Sequence, residues 1–194
     1  MEEEFNIPLL NNISDALLIA NAELQSYFDL LHDDNIHYPY SIKHVVINLS
    51  TCMELLIKFR LLEEHWAFLF EDTNKAKECN FDTGDFVSVS FFRGIERLRN
   101  ICEIDTQKYF TASQQLQKYR NRAVHFTLND SFGDILKTVM NAITEIHNFA
   151  CDEVIPYIEN DDAIKVIKSE LDELSGFQKD IRITITEDEA QNLE

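Results

Sequence analysis

Apolar residues recur at intervals of three and four along most of this chain, which predicts a succession of amphipathic helices. The first helix is predicted over about Ile7 to Leu31. A second is predicted over about Tyr40 to Leu62, and it is apolar on almost every side. Its polar residues fall in one narrow stripe, made of His44, Asn48, Thr51, Glu54 and Lys58. Such a helix lies at the centre of a fold, and its stripe must face water, a partner or a site.

Four further helices are predicted downstream of a polar loop over about 71–85. Their ranges are about 88–102, 107–126, the segment after 131 up to 158, and 162–174. Polar residues mark their ends: Thr106 caps the fourth helix, Asn129-Asp130-Ser131 caps the fifth, and Ser175-Gly176 closes the sixth. The chain therefore predicts six helices in sequence.

The periodicity changes near the C-terminus. Ile181, Ile183 and Ile185 alternate with polar residues, which predicts a strand. A lone strand needs a partner, so we expect it to pair across a dimer or to stay loose. Four acids occur in residues 187–194, and this composition predicts disorder there.

Few helix-breaking residues occur, and this supports an all-α fold. The 194 residues include only four Gly and three Pro, which leaves little room for the many turns of an all-β protein. We predict one helical domain over 1–176, a bundle of about five to six helices, followed by an acidic tail over 177–194 that contains the short strand.

Several classes of site are disfavoured by the sequence. No apolar run approaches the roughly 20 residues that span a bilayer, and the acidic start Met1-Glu2-Glu3-Glu4 is unlike a signal peptide, so we expect a cytoplasmic protein without membrane contact. The four cysteines form no C-x₂-C pair, so neither a zinc ribbon nor disulfides are expected. No metalloprotease, Walker or Rossmann motif occurs, so we predict no metal and no cofactor.

The charge of the chain bears on its partners. The formal net charge is −18, from 35 acids against 17 bases. This argues against broad electrostatic binding of nucleic acid, which depends on basic surfaces. A few local cations can still hold a phosphate, and an acidic surface equally favours a basic partner protein.

One short segment combines residue types that carry chemistry: Arg120-Asn121-Arg122-Ala123-Val124-His125. On a helical wheel, Asn121 and His125 stack four residues apart, on the side of Gln117 and Lys118. The opposite, core face is predicted to contain Leu116, Tyr119, Ala123 and Phe126. Arg120 lies on the flank, about 140° around the helix from His125. The two side chains would converge on one group more easily if two copies of this helix met.

The pattern of Arg, Asn, three residues and His resembles the signature of the HEPN superfamily. The segments Glu54-Leu55-Leu56-Ile57-Lys58 and Glu63-Glu64-His65-Trp66 also look like the second-helix region of bacterial HEPN proteins. The resemblance extends over about 10–158 at the level of the fold. It implies a metal-independent endoribonuclease that acts as a homodimer with a composite active site and has RNA as its substrate.

The resemblance implies a role for each motif residue. His125 is the expected acid and base, because imidazole titrates near neutral pH. Arg120 is expected to hold the charged phosphoryl oxygens, and Asn121 to orient the histidine or to donate to phosphate. Lys118, Arg122 and Glu54 are supporting candidates, with Glu54 paired to Arg120 or, as an equal alternative, to Lys58.

The same resemblance implies a toxin, antiphage or stress system, in which an antitoxin or regulatory protein is a further partner. HEPN toxins paired with nucleotidyltransferase antitoxins often carry a tyrosine two residues after the histidine, but this position is Thr127. Silencing through that tyrosine is therefore not expected. The alternative function is a non-catalytic HEPN module that binds a partner protein or RNA.

Overall fold

A computed structural model describes residues 8–30 and 38–191 of the chain. Within these ranges the fold is built from helices, and its only β pairing is an isolated antiparallel bridge between Phe70 and Ser88. The α-helices are α1 (Leu9–Leu30), α2 (Tyr38–Glu64), α3 (Glu78–Thr83), α4 (Phe91–Ile101), α5 (Thr106–Tyr109), α6 (Thr111–His125), α7 (Phe132–Phe149), α8 (Asp161–Gly176) and α9 (Gln178–Gln191). The predicted all-α bundle is confirmed.

Helix α2 is the centre of the bundle, as its apolar surface predicts. It packs against α1, α4, α6 and α7, and residues such as Val45, Leu49 and Leu56 are fully buried. The polar stripe lies at the edge of this contact area, where His44 Nδ1 is 3.1 Å from Glu23 Oε1 of α1. Burial on nearly every side explains why so few polar residues occur along 27 positions of helix.

The predicted fourth helix is two helices, α5 and α6, which break at Phe110 (φ −131°, ψ 13°). The Phe110 ring is fully buried and lies 4.9 Å from the Phe149 ring centroid. The break in the helix at Phe110 accompanies the burial of this ring in the core. The cap is also one residue earlier than predicted, because Asp105 Oδ1, rather than Thr106, accepts a hydrogen bond from the Gln107 amide at 3.1 Å.

The predicted fifth helix ends earlier than expected. Regular α-helix stops at Phe149 and continues as a π-helical turn over Ala150–Val154 and a 3₁₀ turn over Ile155–Tyr157. Pro156 lies in that last turn, and its missing amide hydrogen cannot extend an α-helix. The region predicted as a polar loop also differs, because it contains α3, which ends at Gly84 with φ +70°.

The predicted strand near the C-terminus is wrong. Residues 178–191 form α9, which packs on α7. Ile181 and Ile185 are buried, whereas Ile183 is 48% exposed. Because Ile181 and Ile185 are four residues apart, they share one face of a helix, so the same apolar positions satisfy a helix once α7 is available as a partner. Residues 192–194 lie outside the described ranges.

Within the described parts of the chain, no helix has both the length and the apolar composition that crossing a membrane requires. The long helices α1, α2 and α7 each carry a polar face or stripe among their apolar residues. The sequence likewise contains no apolar run of roughly 20 residues.

Candidate active site

Helix α6 carries the motif, and a carboxylate from α7 fixes its first turn. The Glu145 oxygens accept hydrogen bonds from the backbone amides of Ala112 and Ser113 and from Ser113 Oγ, each at 2.8 Å. The first amides of a helix have no acceptor within the helix. Glu145 supplies the acceptor oxygens for these amides, which the chain before α6 does not provide. This contact sets the position of the whole motif helix on α7.

The middle of α6 is joined to α2 by a buried polar contact. Ser50 Oγ donates a hydrogen bond to Gln117 Oε1, and both side chains are almost fully buried. The prediction that Gln117 lies opposite the core is therefore wrong. A glutamine is tolerated there because its amide has a partner, which a helical wheel of α6 alone does not show.

The end of α6 also differs from the wheel. Phe126, predicted in the core face, is 93% exposed. The helix ends at His125, and the backbone of Phe126 (φ −152°, ψ −90°) turns its side chain out of the helical path. With Gln117 inside and Phe126 outside, the buried face of α6 is centred closer to Arg120 than predicted.

The three motif side chains occupy different environments. Arg120 and Asn121 are half-buried, and Arg120 Nη1 donates to Asn121 Oδ1 at 3.1 Å. His125 is exposed in the last turn of the helix. Since the five residues from Arg120 to His125 turn the helix by about 140° beyond one revolution, the two side chains leave α6 in different directions. A single chain does not bring them onto one group.

The supporting cations are placed on the open side of α6. Lys118 is exposed. Arg122 forms an ion pair with Asp130 and lies over the Tyr119 ring, 5.2 Å from its centroid. The ion pair reduces the charge that Arg122 offers to a ligand, and it joins α6 to the loop before α7. Lys118 is thus the more available of the two charges.

Helices α2 and α6 run in opposite directions. Ser50 lies against Gln117 in the middle of both helices. At the other end of the contact, Tyr40 near the start of α2 and Phe126 just after α6 line the same groove. The start of α2 therefore lies beside the end of α6.

Antiparallel packing decides between the two alternatives for Glu54. Glu54 is four residues beyond Ser50, whereas Arg120 is three residues beyond Gln117 in the opposite direction, so about 10 Å separates them along the helix axes. Glu54 Oε1 instead lies 2.7 Å from Lys58 Nζ. The structure therefore favours the Glu54–Lys58 pair, one turn apart on α2.

Among the described residues, cations outnumber acids around the motif: the basic surface consists of Lys43, Lys118, Arg120 and Arg122, with Asp130 as its acid. The sequence reasoning missed the contribution of α2 to this surface. No acid occurs in 38–53 or in 106–129, although the chain carries 35 acids in all. Antiparallel packing brings these two acid-free segments together, so Lys43 of α2 lines the groove at the end of α6, whereas His44 faces Glu23 of α1. The two acid-free segments are visible in the sequence. They predict a shared basic surface only once the contact between α2 and α6 is known.

A groove opens beside this surface, between the start of α2, the end of α6 and the start of α7. Its volume is about 370 Å³, and its lining includes Tyr40, Lys43, Ala123, Phe126 and Phe132. Arg120 is not part of the lining, but it precedes the lining residue Ala123 by three residues and so lies on the same side of α6. The groove therefore begins about one helical turn from the arginine of the motif.

Other chemistry is disfavoured in the described residues. No group of three or more His, Cys, Asp or Glu side chains within 8–30 and 38–191 is arranged to hold a metal ion. Burial raises the pKa of the Cys52, Cys102 and Cys151 thiols, which disfavours the reactive thiolate. The motif helix therefore remains the strongest candidate site.

No protein-family model, no curated protein and no solved structure matches this chain. The resemblance to the HEPN superfamily therefore depends on the six-residue motif and on the weaker second-helix segments. Membership of that superfamily stays a prediction.

Proposed function

We propose that this protein is a metal-independent endoribonuclease of the HEPN type, which acts in the cytoplasm as a homodimer. The observation that carries the proposal is the composition of the α6 C-terminal half. A half-buried arginine bonded to an asparagine and an exposed histidine lie within six residues, on the basic surface of an otherwise acidic chain.

The residue types match the needs of RNA cleavage without a metal. The 2′-oxygen forms a bond to the adjacent phosphorus, and the bond from phosphorus to the 5′-oxygen breaks. His125 takes the proton of the 2′-hydroxyl, and a second His125 returns one to the departing oxygen. Arg120 donates to the phosphoryl oxygens as their charge grows. The products are a 2′,3′-cyclic phosphate and a 5′-hydroxyl, and DNA is not a substrate.

A second copy of the chain is needed for this chemistry. Within one chain, Arg120 and His125 leave the helix about 140° apart. Two α6 helices related by a twofold axis supply two histidines and two arginines, so that an arginine of one copy can face a histidine of the other. That geometry is compatible with the composite active site of the proposal.

Cleavage of a mixed RNA pool in EDTA tests the proposal. The wild type is expected to produce fragments with cyclic phosphate ends, whereas His125→Ala and Arg120→Ala are expected to lose activity. His147→Ala is a matched control, because His147 lies on α7, where its Nε2 is 3.9 Å from Asp172 Oδ1. Adding inactive His125→Ala to the wild type should lower activity below the share of wild-type chains if the site is composite, because a mixed dimer keeps only one of the two histidines.

The alternative is a non-catalytic module that binds a partner protein or RNA. The net charge of −18 favours it, because such a surface gives little general affinity for RNA. A folded dimer that leaves the RNA pool intact, in EDTA and in Mg²⁺, would contradict the nuclease and favour this module.

The setting of a toxin, antiphage or stress system comes with the same proposal. Expression of the wild type is expected to slow growth, and His125→Ala to relieve the effect. Thr127 stands where many HEPN toxins carry the tyrosine that their antitoxin modifies, so any antitoxin of this protein would act by a route other than modification of that tyrosine. Equal growth of cells that express the wild type and cells that express His125→Ala would contradict the toxin setting.

A further inference from the structure

The groove between α2, α6 and α7, called here the Phe126 groove, has a feature that the proposed chemistry does not use. Phe126 is 93% exposed, and Tyr40 on another part of the lining is 63% exposed. A single exposed aromatic residue is common, but two on the walls of one 370 Å³ groove form an apolar surface of ligand size. The folded chain leaves this surface open to solvent.

The position of Phe126 is set by its backbone. The Phe126 amide donates the last helical hydrogen bond of α6, to the Arg122 carbonyl oxygen at 2.9 Å. The Phe126 backbone (φ −152°, ψ −90°) then leaves the helix and directs the ring away from the core. Because this amide is held by the helix, the ring is presented at a defined place directly after His125. Its exposure is a consequence of a fixed helix end.

Positive charge lies around the same groove. Lys43 is part of the lining, and Arg120 lies on the same face of α6 as the lining residue Ala123. Among the lining residues that the structure describes, the one acid, Asp130, is paired with Arg122. The Phe126 groove therefore offers flat apolar rings next to cations, within a chain that is acidic elsewhere.

We propose that the Phe126 groove binds an unpaired base of single-stranded RNA, stacked on the Phe126 ring, with the adjoining phosphate held by Lys43 and Arg120. This inference rests on the proposed function, because the base belongs to the RNA that is cleaved. Stacking on aromatic rings accepts any base face, and flanking cations neutralise the backbone. The groove thereby gives affinity and position to a substrate that the overall charge repels.

Tryptophan fluorescence tests the stacking directly. The chain has one tryptophan, Trp66, which packs against Phe70 and Phe81. Trp66 follows the far end of α2, a helix of 27 residues and about 40 Å, so it reports nothing from the groove. Phe126→Trp in a His125→Ala background adds a reporter at the proposed stacking position in a protein that does not cleave its probe.

The probes are hexauridylate, hexaadenylate and a hexamer of the same backbone without bases. We expect both base-carrying hexamers to quench the introduced tryptophan saturably, and the abasic hexamer to leave it unchanged. His125→Ala alone, with only Trp66, should show no change with any probe. Absence of quenching at concentrations that saturate RNA binding would overturn the proposal.

Binding and kinetics give the second measurement. Phe126→Ala is expected to weaken binding of the base-carrying hexamers about tenfold, the usual effect of removing one stacked ring. Phe126→Tyr, which keeps the ring, should bind like the wild type. In the active protein, Phe126→Ala should raise KM with little change in kcat. Phe92→Ala is the matched control, since Phe92 is a 47% exposed phenylalanine on α4.

The outcomes separate this inference from the proposed function. RNA cleavage by the wild type together with an unchanged KM for Phe126→Ala would overturn the base site and leave the nuclease standing. Quenching by base-carrying hexamers without any cleavage by the wild type would support the base site and remove the nuclease. If Phe126→Ala converts a dimer to a monomer in sedimentation, the ring belongs to the subunit interface and the proposal is wrong.

Discussion

At the scale of single residues, exposure separates side chains that hold the fold from those available for chemistry. His125 is exposed, Arg120 and Asn121 are half-buried, and Gln117 is buried against Ser50. The helical wheel placed His125 correctly because an exposed position needs no partner. It placed Gln117 and Phe126 wrongly, because a hydrogen-bond partner on α2 and the end of α6 are not properties of the helix itself.

His125→Ala is expected to leave stability within about 0.5 kcal/mol of the wild type, because an exposed side chain without core contacts contributes little. RNA cleavage should fall by about 10²- to 10⁴-fold, the usual contribution of a general acid or base. Thermal unfolding and a cleavage assay on the same preparation check both. A large drop in Tm would show that His125 has a structural role.

Gly94 is a residue where α4 approaches α2 closely. A Cβ added at Gly94 would lie 2.6 Å from Ile57 Cγ2, and Ile57 is almost fully buried. Gly94→Ala should therefore destabilise the protein: crowding costs about 1–3 kcal/mol, and better helix propensity recovers at most about 1 kcal/mol. Gly176→Ala, with no atom within 4 Å of the added Cβ, is the control and should not lower Tm.

At the scale of elements, the motif helix is positioned by contacts from other helices. Its first turn is capped by Glu145 of α7, its middle bonds to Ser50 of α2, and its last turn is tied through Arg122 to Asp130. Three elements therefore determine where the basic residues of α6 lie. The amphipathic pattern predicts that α6 is a helix, but these contacts decide its rotation.

Glu145→Ala is expected to destabilise the protein by about 1–3 kcal/mol, because it leaves the Ala112 and Ser113 amides without their acceptor. Glu145→Gln, which keeps one acceptor oxygen, should lose less. Chemical denaturation gives the free energies, with the exposed Glu173→Ala as control. Hydrogen exchange should show faster opening of the first turn of α6. Equal stability of all variants would mean that water replaces the cap.

At the scale of the whole molecule, charge is unevenly distributed. The chain carries 35 acids and 17 bases, yet α2 and α6 bring together two segments without any acid. Acids from other elements contact these segments at defined points: Lys108 and Tyr109 donate to Asp152 Oδ2, each at 2.8 Å, and Arg122 pairs with Asp130. Lys118 and Lys43 form no such ion pair among the described residues.

Stability is expected to fall on acidification. Hydrogen bonds from Lys108 and Tyr109 lower the pKa of Asp152, and the Ser90 amide lowers that of Glu71. A carboxyl with a lowered pKa stabilises the fold above its unfolded pKa, about 4, and the stabilisation is lost as pH falls through the folded value.

Denaturation at a series of pH values between about 5 and 2 checks this expectation. Asp152→Asn should lower stability at neutral pH and flatten the decline with acid. The effect should be small, because Lys108 and Asp152 are 53% and 46% exposed. Lys108→Met should have a similar effect, and the double variant should add little to either. A decline as steep as that of the wild type in Asp152→Asn would contradict the assignment.

Local sequence patterns were enough to predict the helical class, the central position of α2 and the exposure of His125. All three predictions depend on helical periodicity, which shows which side of a helix is apolar. The tertiary structure alone decided that Ile181 and Ile185 lie in a helix, because their spacing suits a strand as well as one helix face until α7 provides a partner.

The surface around the motif was likewise decided by tertiary structure. Lys43 lies about 80 residues before the motif in the sequence, and it reaches the Phe126 groove only because α2 and α6 pack antiparallel. The separation of Glu54 from Arg120 has the same cause. Contacts between distant segments depend on how helices dock, and the free energy of docking is spread over many side chains, so no local pattern in the chain reports it.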